Sequence, residues 1–279
     1  MSFDFDDFDV RSRFIDLDDK MDEQRQLLRD LPDEQGDFDE RCKIAYIYHD
    51  SALEGIVLTY HELRAAVDRK IASDTSLIPT YQEIKNHADS VDVILEHCRE
   101  ETSKRQRVGN PKLTPQLAHD LHVLLNRGLP RKTGGQLRKD MPLHRTYFHD
   151  IAEPQQIEQG LKEVCESVDN PDFRAQHPIN QACLFHHDFM KVFPYTDGSG
   201  KVGRLMMNYF LMRAGYQPAV IHASDRQSYY ESLKAGPEAL RGLIIESMDQ
   251  AVDAGIRHLK DRLKMRSAVR NRIGRTALG

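Results

Sequence analysis

A run of apolar residues follows directly on a glycine-rich turn in the last third of the chain. It extends from Leu205 to Met212 and is apolar on almost every side of a helix. Because such a helix has no face to present to water, it is predicted to lie at the centre of the fold. The other elements must then pack around it.

Most of the remaining chain repeats apolar residues at the spacing of an amphipathic helix. Residues 130–149 lack this period, and they read as a loop or a short hairpin. The predicted fold is therefore all-α with a small β-hairpin. The predicted helices cover about residues 14–31, 37–49, 60–72, 79–100, 115–127, 154–168, 178–192, 205–214, 226–234 and 237–263.

Several helix ends carry recognisable signals. Thr59 with Glu62 three residues later has the pattern of a capping box, and Thr114 precedes a proline at the favoured first helical position. Gly55 and Gly215 follow predicted helices, where glycine commonly ends a helix.

Composition bounds the class of protein. The 279 residues are 39% hydrophobic and 30% charged, which suffices for one sizeable core, and the net charge of −5 gives no overall attraction to nucleic acid or anionic membrane. The four cysteines are dispersed, which favours reduced thiols. The acidic start does not resemble a signal peptide, and no apolar run reaches membrane-spanning length, so we expect a cytoplasmic protein without a membrane partner.

The glycine-rich turn has the layout of a phosphate cradle. Glycines let backbone N–H groups approach a phosphate, and the following helix adds its free N–H groups and positive dipole end. The turn also carries one carboxylate and two cations. Its residues are Asp197, Gly198, Ser199, Gly200, Lys201, Gly203 and Arg204.

Two other interpretations of the turn compete. The glycine spacing matches the dinucleotide-binding fingerprint, but that fingerprint needs a preceding strand, and residues 178–192 are predicted to be helical. A glycine turn between two core helices also needs no ligand at all. The residues of the turn alone leave open a phosphate site and a purely structural turn.

The surrounding sequence resembles the Fic family. Residues 193–204, Phe-Pro-Tyr-Thr-Asp-Gly-Ser-Gly-Lys-Val-Gly-Arg, are similar to the family motif His-x-Phe-x-(Asp/Glu)-Gly-Asn-Gly-Arg-x-x-Arg. His186, the pair Gly135 and Arg138, and Tyr229 also fall in family-like order, and the resemblance covers about residues 50–250. It implies a Fic-type helical bundle with a β-hairpin flap. The implied domains are a helical N-terminal segment at 1–78, a Fic core at 79–255 and a basic tail at 256–279.

The resemblance implies a site for ATP or a related nucleotide. Asp197 would hold Mg2+, Arg204 would contact the terminal phosphate, and Lys201 replaces the first motif arginine, keeping the charge without the planar fork. The implied nucleotide-binding residues are Gly198, Ser199, Gly200, Lys201, Gly203 and Arg204.

Phe193 departs from the family pattern. Family members that transfer AMP to a protein hydroxyl have a histidine there as general base, and phenylalanine accepts no proton. Loss of a general base costs about 10²–10⁴ in rate. His186 or His187 could substitute, although a histidine on a buried helix face is more often a satisfied core residue.

A second resemblance lies upstream. Residues 50–55, Asp-Ser-Ala-Leu-Glu-Gly, resemble the inhibitory motif (Ser/Thr)-x-x-x-Glu-(Gly/Asn) of the family, with Asp50 where Ser or Thr is expected. This implies that Glu54 pairs with Arg204 and blocks a productive nucleotide. The alternative is a solvated glutamate at a helix end.

Two basic segments suggest partners. The resemblance makes residues 133–149 the flap that holds a protein target by strand addition, with basic side chains that select an acidic target or protect an exposed edge. The basic tail at 256–279 is either solvated, a contact for nucleic acid, or a partner for the acidic start of another copy in a homo-oligomer.

Three functional hypotheses remain at this stage. The first is a Fic-family nucleotide-binding protein related to protein adenylyltransferases that has little or no ordinary AMP transfer. The second is an active transferase or hydrolase with another base or substrate. The third is an interaction scaffold without a ligand.

Overall fold

The computed structural model describes residues 5–70, 74–105, 113–142 and 150–276. These residues form eleven α-helices and contain no strand. The helices are α1 (Phe5–Asp30), α2 (Gln35–Leu53), α3 (Tyr60–Val67), α4 (Ile78–Arg105), α5 (Pro115–Leu125), α6 (Ile157–Ser167), α7 (Pro171–Arg174), α8 (Pro178–Val192), α9 (Ser199–Arg213), α10 (Arg226–Ala235) and α11 (Pro237–Thr276).

The chain divides into two compact units, one of residues 43–244 and one that joins residues 1–42 with 245–279. In the larger unit α9 packs against α8, α4 and α5, and every residue from Ser199 to Leu211 is buried. The prediction of a central helix after the glycine turn is confirmed. The predicted domain boundaries near residues 78 and 255 stay predictions.

The predicted capping signals are also confirmed, although several helices end some residues away from the predicted positions, such as α3 at Val67 and α11 at Thr276. The Thr59 side chain accepts from the Glu62 backbone N–H at 3.3 Å, while Glu62 accepts from the Thr59 N–H at 2.8 Å. The Thr114 side chain accepts from the backbone N–H of Leu117 at 3.1 Å. Gly55, after α2, has a φ of +87°, which glycine adopts without steric cost.

The smaller unit is built from α1, the start of α2 and most of α11. Lys20 Nζ lies 2.6 Å from Asp249 Oδ1, and Arg262 donates to both carboxylate oxygens of Glu34 at 2.8 and 2.5 Å. The basic segment predicted as a tail continues α11 as far as Thr276. Part of its charge is therefore paired with acidic residues of the same unit.

The predicted β-hairpin is not supported. Residues 130–142 form turns and irregular backbone without a strand, and residues 143–149 lie outside the described part of the chain. The physical reason is a different set of backbone partners: the Arg138 N–H donates to the carbonyl of Pro194 at 2.9 Å. The segment is anchored to the glycine turn.

Two further expectations concern the whole chain. The four cysteines are free, and burial raises the pKa of the Cys183 thiol to about 12, as expected for an unreactive core thiol. None of the helices in the described ranges has both the length and the apolar character needed to cross a membrane.

Candidate functional site

The glycine turn links the end of α8 to the start of α9. Phe193 ends α8 in the left-handed conformation, with φ 45° and ψ 64°, and its N–H donates to the Phe189 carbonyl at 2.9 Å. A bulky residue rarely adopts this conformation. Gly198, with φ +85°, then precedes the first turn of α9. α9 therefore begins directly at the turn, and the N–H groups of its first turn have no partner within the helix.

Ser199 fixes the shape of the turn. Its Oγ accepts from the Tyr195 N–H and donates to the Tyr195 carbonyl, both at 2.8 Å, and the side chain is fully buried. The hydroxyl therefore stabilises the turn through both of its hydrogen bonds. The predicted contact of Ser199 with a phosphate can then come from its backbone N–H.

Arg204 lies buried in the second turn of α9 and is held by two carboxylates, Asp50 in the last turn of α2 and Glu54 directly after that helix. Its Nη2 donates to Glu54 Oε1 at 2.7 Å, and its Nε donates to Asp50 Oδ1. Burial alone disfavours the charged guanidinium, but the charges of Asp50 and Glu54 outweigh it and hold the pKa of Arg204 well above its usual value. The predicted partner Glu54 is thus in contact, together with an unpredicted one.

Gly200 makes room for this pair. A Cβ at that position would lie 2.8 Å from both Arg204 Nη1 and Glu54 Oε1. The Glu54 carboxylate consequently lies directly over the first turn of α9, where the helix offers its free N–H groups to an anion. Gly203 serves packing instead, since a Cβ there would come within 2.9 Å of Phe189.

A second cluster of ion pairs, in which positive and negative side chains alternate, lies at the turn. Lys201 Nζ donates to Glu83 Oε1 at 2.7 Å, and Lys132 Nζ lies 3.5 Å from the same oxygen and 3.0 Å from Asp197 Oδ2. Burial would raise the pKa of Glu83, but Lys201 and Lys132 outweigh it and lower that pKa. Lys201 therefore points to Glu83 in this conformation, while Asp197 is 60% exposed.

His122 of α5 stabilises the turn through hydrogen bonds at both of its ring nitrogens. The Gly135 N–H donates to Nδ1 at 2.8 Å, so the ring proton lies on Nε2, which donates to the Asp197 carbonyl at 2.9 Å. The ring stacks on Tyr195 with centroids 3.8 Å apart. Burial lowers the pKa of His122, in keeping with a neutral ring whose two nitrogens are both engaged.

Arg138 anchors the segment after α5. Its Nε donates to the Phe193 carbonyl at 2.7 Å, and its Nη2 donates to the carbonyls of Val192, at 3.2 Å, and Ala152. Carbonyls at a helix C-terminus have no partner within the helix, so a buried cation there satisfies them and matches the helix dipole. Arg138 is a structural anchor here, not a free cation of a basic flap.

A cavity of about 370 Å³ opens beside the turn. Its walls include Lys132, Gln136 and Lys139 from the anchored segment, and Asp197 from the turn. The part of the predicted flap that is described therefore lines an open space next to the exposed carboxylate.

The two histidines weighed as substitute bases have other partners. His186 is fully buried, and its Nε2 lies 2.8 Å from the Tyr229 hydroxyl. His187 is also buried, and its Nδ1 lies 3.4 Å from Asp188. The interpretation of His186 as a satisfied core residue fits this geometry better than a role as base.

His87 of α4 gives the site a pH dependence of stability. It is fully buried, with Nε2 3.3 Å from Asp50 Oδ2, and burial lowers its pKa to about 4, although Asp50 opposes the shift. The unfolded chain then binds a proton more readily than the folded chain between pH 6.5 and 4, so stability is lost as the pH falls through this range.

We expect the free energy of unfolding of the wild type to fall with a slope of up to about 1.4 kcal/mol per pH unit from this group. His87→Gln should flatten the slope, leaving the part due to His49, whose pKa burial also lowers to about 4, and to His122, whose pKa burial also lowers. Urea unfolding at intervals between pH 7 and 4 measures this. An unchanged slope in the variant would contradict the assignment.

Four residues of the site were missed or misread from sequence: Asp50, Glu83, Lys132 and Arg138. The position of Asp50 one helical turn before Glu54 was the signal that could have identified it, because residues four apart share a helix face. Glu83 and Lys132 meet the turn only through the packing of α4 and α5.

Comparison with known proteins agrees with the fold and the turn. A model of the Fic/DOC family matches residues 112–211. The protein adenylyltransferase Fic of Nematostella vectensis is 29% identical over 219 residues, which cover 77% of this chain and 49% of that protein. The Drosophila melanogaster protein of the same name is 26% identical over 223 residues, 78% of this chain and 43% of that protein. The chain thus spans about half the length of these curated relatives.

Solved structures show the same fold. A Fic domain containing signaling protein from Bacteroides thetaiotaomicron aligns with a TM-score of 0.66 at 19% identity, over 86% of this chain and 94% of that one. Fic-1 from C. elegans, residues 134–508, aligns with a TM-score of 0.68 at 20% identity, over 88% of this chain and 71% of that one. Residues 112–211, which include the glycine turn, match the Fic/DOC family, and the fold of the chain is similar to that of solved Fic proteins.

Proposed function

We propose that this chain binds ATP or a related nucleotide at the turn from Asp197 to Arg204. The observation that carries the proposal is the buried guanidinium of Arg204, which lies beside the N-terminal turn of α9 and is neutralised by two carboxylates at the end of α2. A phosphate on the free N–H groups of α9 would replace those carboxylates as the partner of Arg204.

Asp197 is the candidate ligand for Mg2+. Its carboxylate is a hard oxygen donor that is open to solvent at the start of α9, and Mg2+ is commonly held by one or two carboxylates together with substrate phosphates. The residues present fit the ion on this ground. Lys132, whose Nζ lies 3.0 Å from Asp197 Oδ2, would have to leave that carboxylate when the ion binds. When bound, the ion would neutralise phosphate charge.

The similarity to protein adenylyltransferases suggests AMP transfer to a protein hydroxyl as the related chemistry. We propose that ordinary transfer is weak in this chain because Phe193 occupies the position of the family base, and because His186 and His187 have other partners. The missing base and the engaged histidines favour the hypothesis of a nucleotide-binding protein over that of an active transferase or hydrolase that uses another base.

Glu54 is proposed to be inhibitory. Its carboxylate lies over Gly200 and holds Arg204, so it takes the place that a phosphate would need. A protein target is proposed to approach at the cavity lined by Lys132 and Lys139, where the exposed cation of Lys139 favours an acidic segment. The unit would then act as a nucleotide-responsive binding module.

Calorimetry tests the proposal. The variant Asp50→Ser/Glu54→Gly lacks both carboxylates that hold Arg204, and we expect it to bind ATP in the presence of Mg2+. Adding Arg204→Ala to the same variant should weaken binding at least about tenfold, because a charge-assisted contact to phosphate is lost. Absence of ATP binding in the doubly substituted protein would contradict the proposal and would favour a scaffold without a ligand.

A further inference from the structure

The two carboxylates on Arg204 differ in their surroundings. The Asp50 and Arg204 side chains are each 2% exposed, whereas Glu54 is 17% exposed. Water can replace a partly exposed partner such as Glu54 at modest cost, but it cannot easily reach Asp50. The two contacts are therefore unequal, and the buried one is the harder to break.

The surroundings of Asp50 reinforce this difference. Its second oxygen, Oδ2, lies 3.3 Å from His87 Nε2, but that ring is fully buried and neutral at ordinary pH, since burial lowers its pKa to about 4. His87 therefore supplies no positive charge, and Arg204 is the cation that compensates Asp50. If Arg204 turned to a phosphate, Asp50 would remain as a buried, uncompensated carboxylate.

We infer that Asp50 is a second carboxylate partner that keeps Arg204 from a phosphate after Glu54 alone is removed. Asp50 lies in the last turn of α2 and Glu54 is the first residue after that helix, so the C-terminal end of α2 supplies both contacts. Release of Arg204 then requires the end of α2 to move as a whole; a new side-chain conformation of Glu54 is not sufficient. The inference rests on the proposed function in taking the terminal phosphate as the competitor for Arg204.

The first test does not depend on nucleotide. Solvent exchange of the Arg204 Nε–H is measured by NMR, with the resonance assigned by its loss in Arg204→Lys. We expect exchange in Glu54→Gly and Glu54→Gln to stay within about threefold of the wild type, and exchange in Asp50→Asn to rise by about tenfold or more. Rapid exchange in Glu54→Gly would overturn the inference, and this variant decides the question even if Asp50 variants do not fold.

The second test measures ATP affinity with Mg2+ by calorimetry. Asp50→Ser/Glu54→Gly should bind at least about tenfold more tightly than Glu54→Gly, a difference of about 1.4 kcal/mol. Equal affinities of the two proteins would overturn the inference. If neither protein binds ATP, the proposed function fails, while the exchange measurement still decides whether Asp50 holds Arg204.

Discussion

Replacement of Phe193 by histidine is expected to raise AMP transfer at least about 100-fold in the Asp50→Ser/Glu54→Gly background. The expected gain follows from the range of about 10²–10⁴ that a general base contributes. Transfer requires a hydroxyl to attack the α-phosphorus of ATP while its proton leaves and pyrophosphate departs. Phe193 cannot take this proton, whereas a histidine at the same position can.

The backbone at this position should accept the change. Phe193 is in the left-handed conformation, with a φ of 45°, and histidine adopts that region more readily than phenylalanine does. The measurement is the label that the chain itself acquires from ATP labelled at the α-phosphate. Phe193→Ala is the matched control, because it removes the ring without supplying a base and should give no gain.

The opposite result would favour the competing hypothesis. If the protein that retains Phe193 labels as fast as the histidine variant once Arg204 is released, the chain uses another base or a substrate that needs none. The account of Phe193 as the missing base would then be wrong.

Replacement of Arg138 by alanine is expected to lower the free energy of unfolding by about 3 kcal/mol. The carbonyls of Val192, Phe193 and Ala152 would lose a charged donor, and hydrogen bonds to charged groups contribute about 1.5–3 kcal/mol each before relaxation and water replace part of the loss. Arg138 is 3% exposed, so little water is present to substitute for it.

The free energy of unfolding is measured by urea unfolding, and two further variants serve as controls. Arg138→Lys should be intermediate, since it keeps the charge but loses the planar set of donors. The neighbouring Lys139→Ala, at an exposed position, should change stability by no more than about 0.5 kcal/mol. A loss below about 1 kcal/mol in Arg138→Ala would contradict its role as the anchor of the turn.

Local chemistry was sufficient to predict most of the helical fold. The bounds of α8 and the capping box at Thr59 follow from residues within a few positions of one another, as does the central position of α9. The candidate site was predicted as far as the motif extends. Glu54 was identified through resemblance, and the structure places it on Arg204.

The rest depends on contacts between distant parts of the chain. The Arg204–Asp50 contact joins residues 154 positions apart, and Lys201–Glu83 joins residues 118 apart. Local pattern cannot reveal such contacts. The basic stretch after α5 was misread as a hairpin for the same reason, because Arg138 finds its partners at the end of α8, 54 and 55 positions away.

The most direct test of the account is a crystal structure of the Asp50→Ser/Glu54→Gly protein with ATP and Mg2+. We predict phosphates on the backbone N–H groups of Ser199 and Gly200, the terminal phosphate on the Arg204 guanidinium, and Mg2+ held by the Asp197 carboxylate. A nucleotide bound elsewhere, or a turn that stays without nucleotide at saturating ATP, would contradict it.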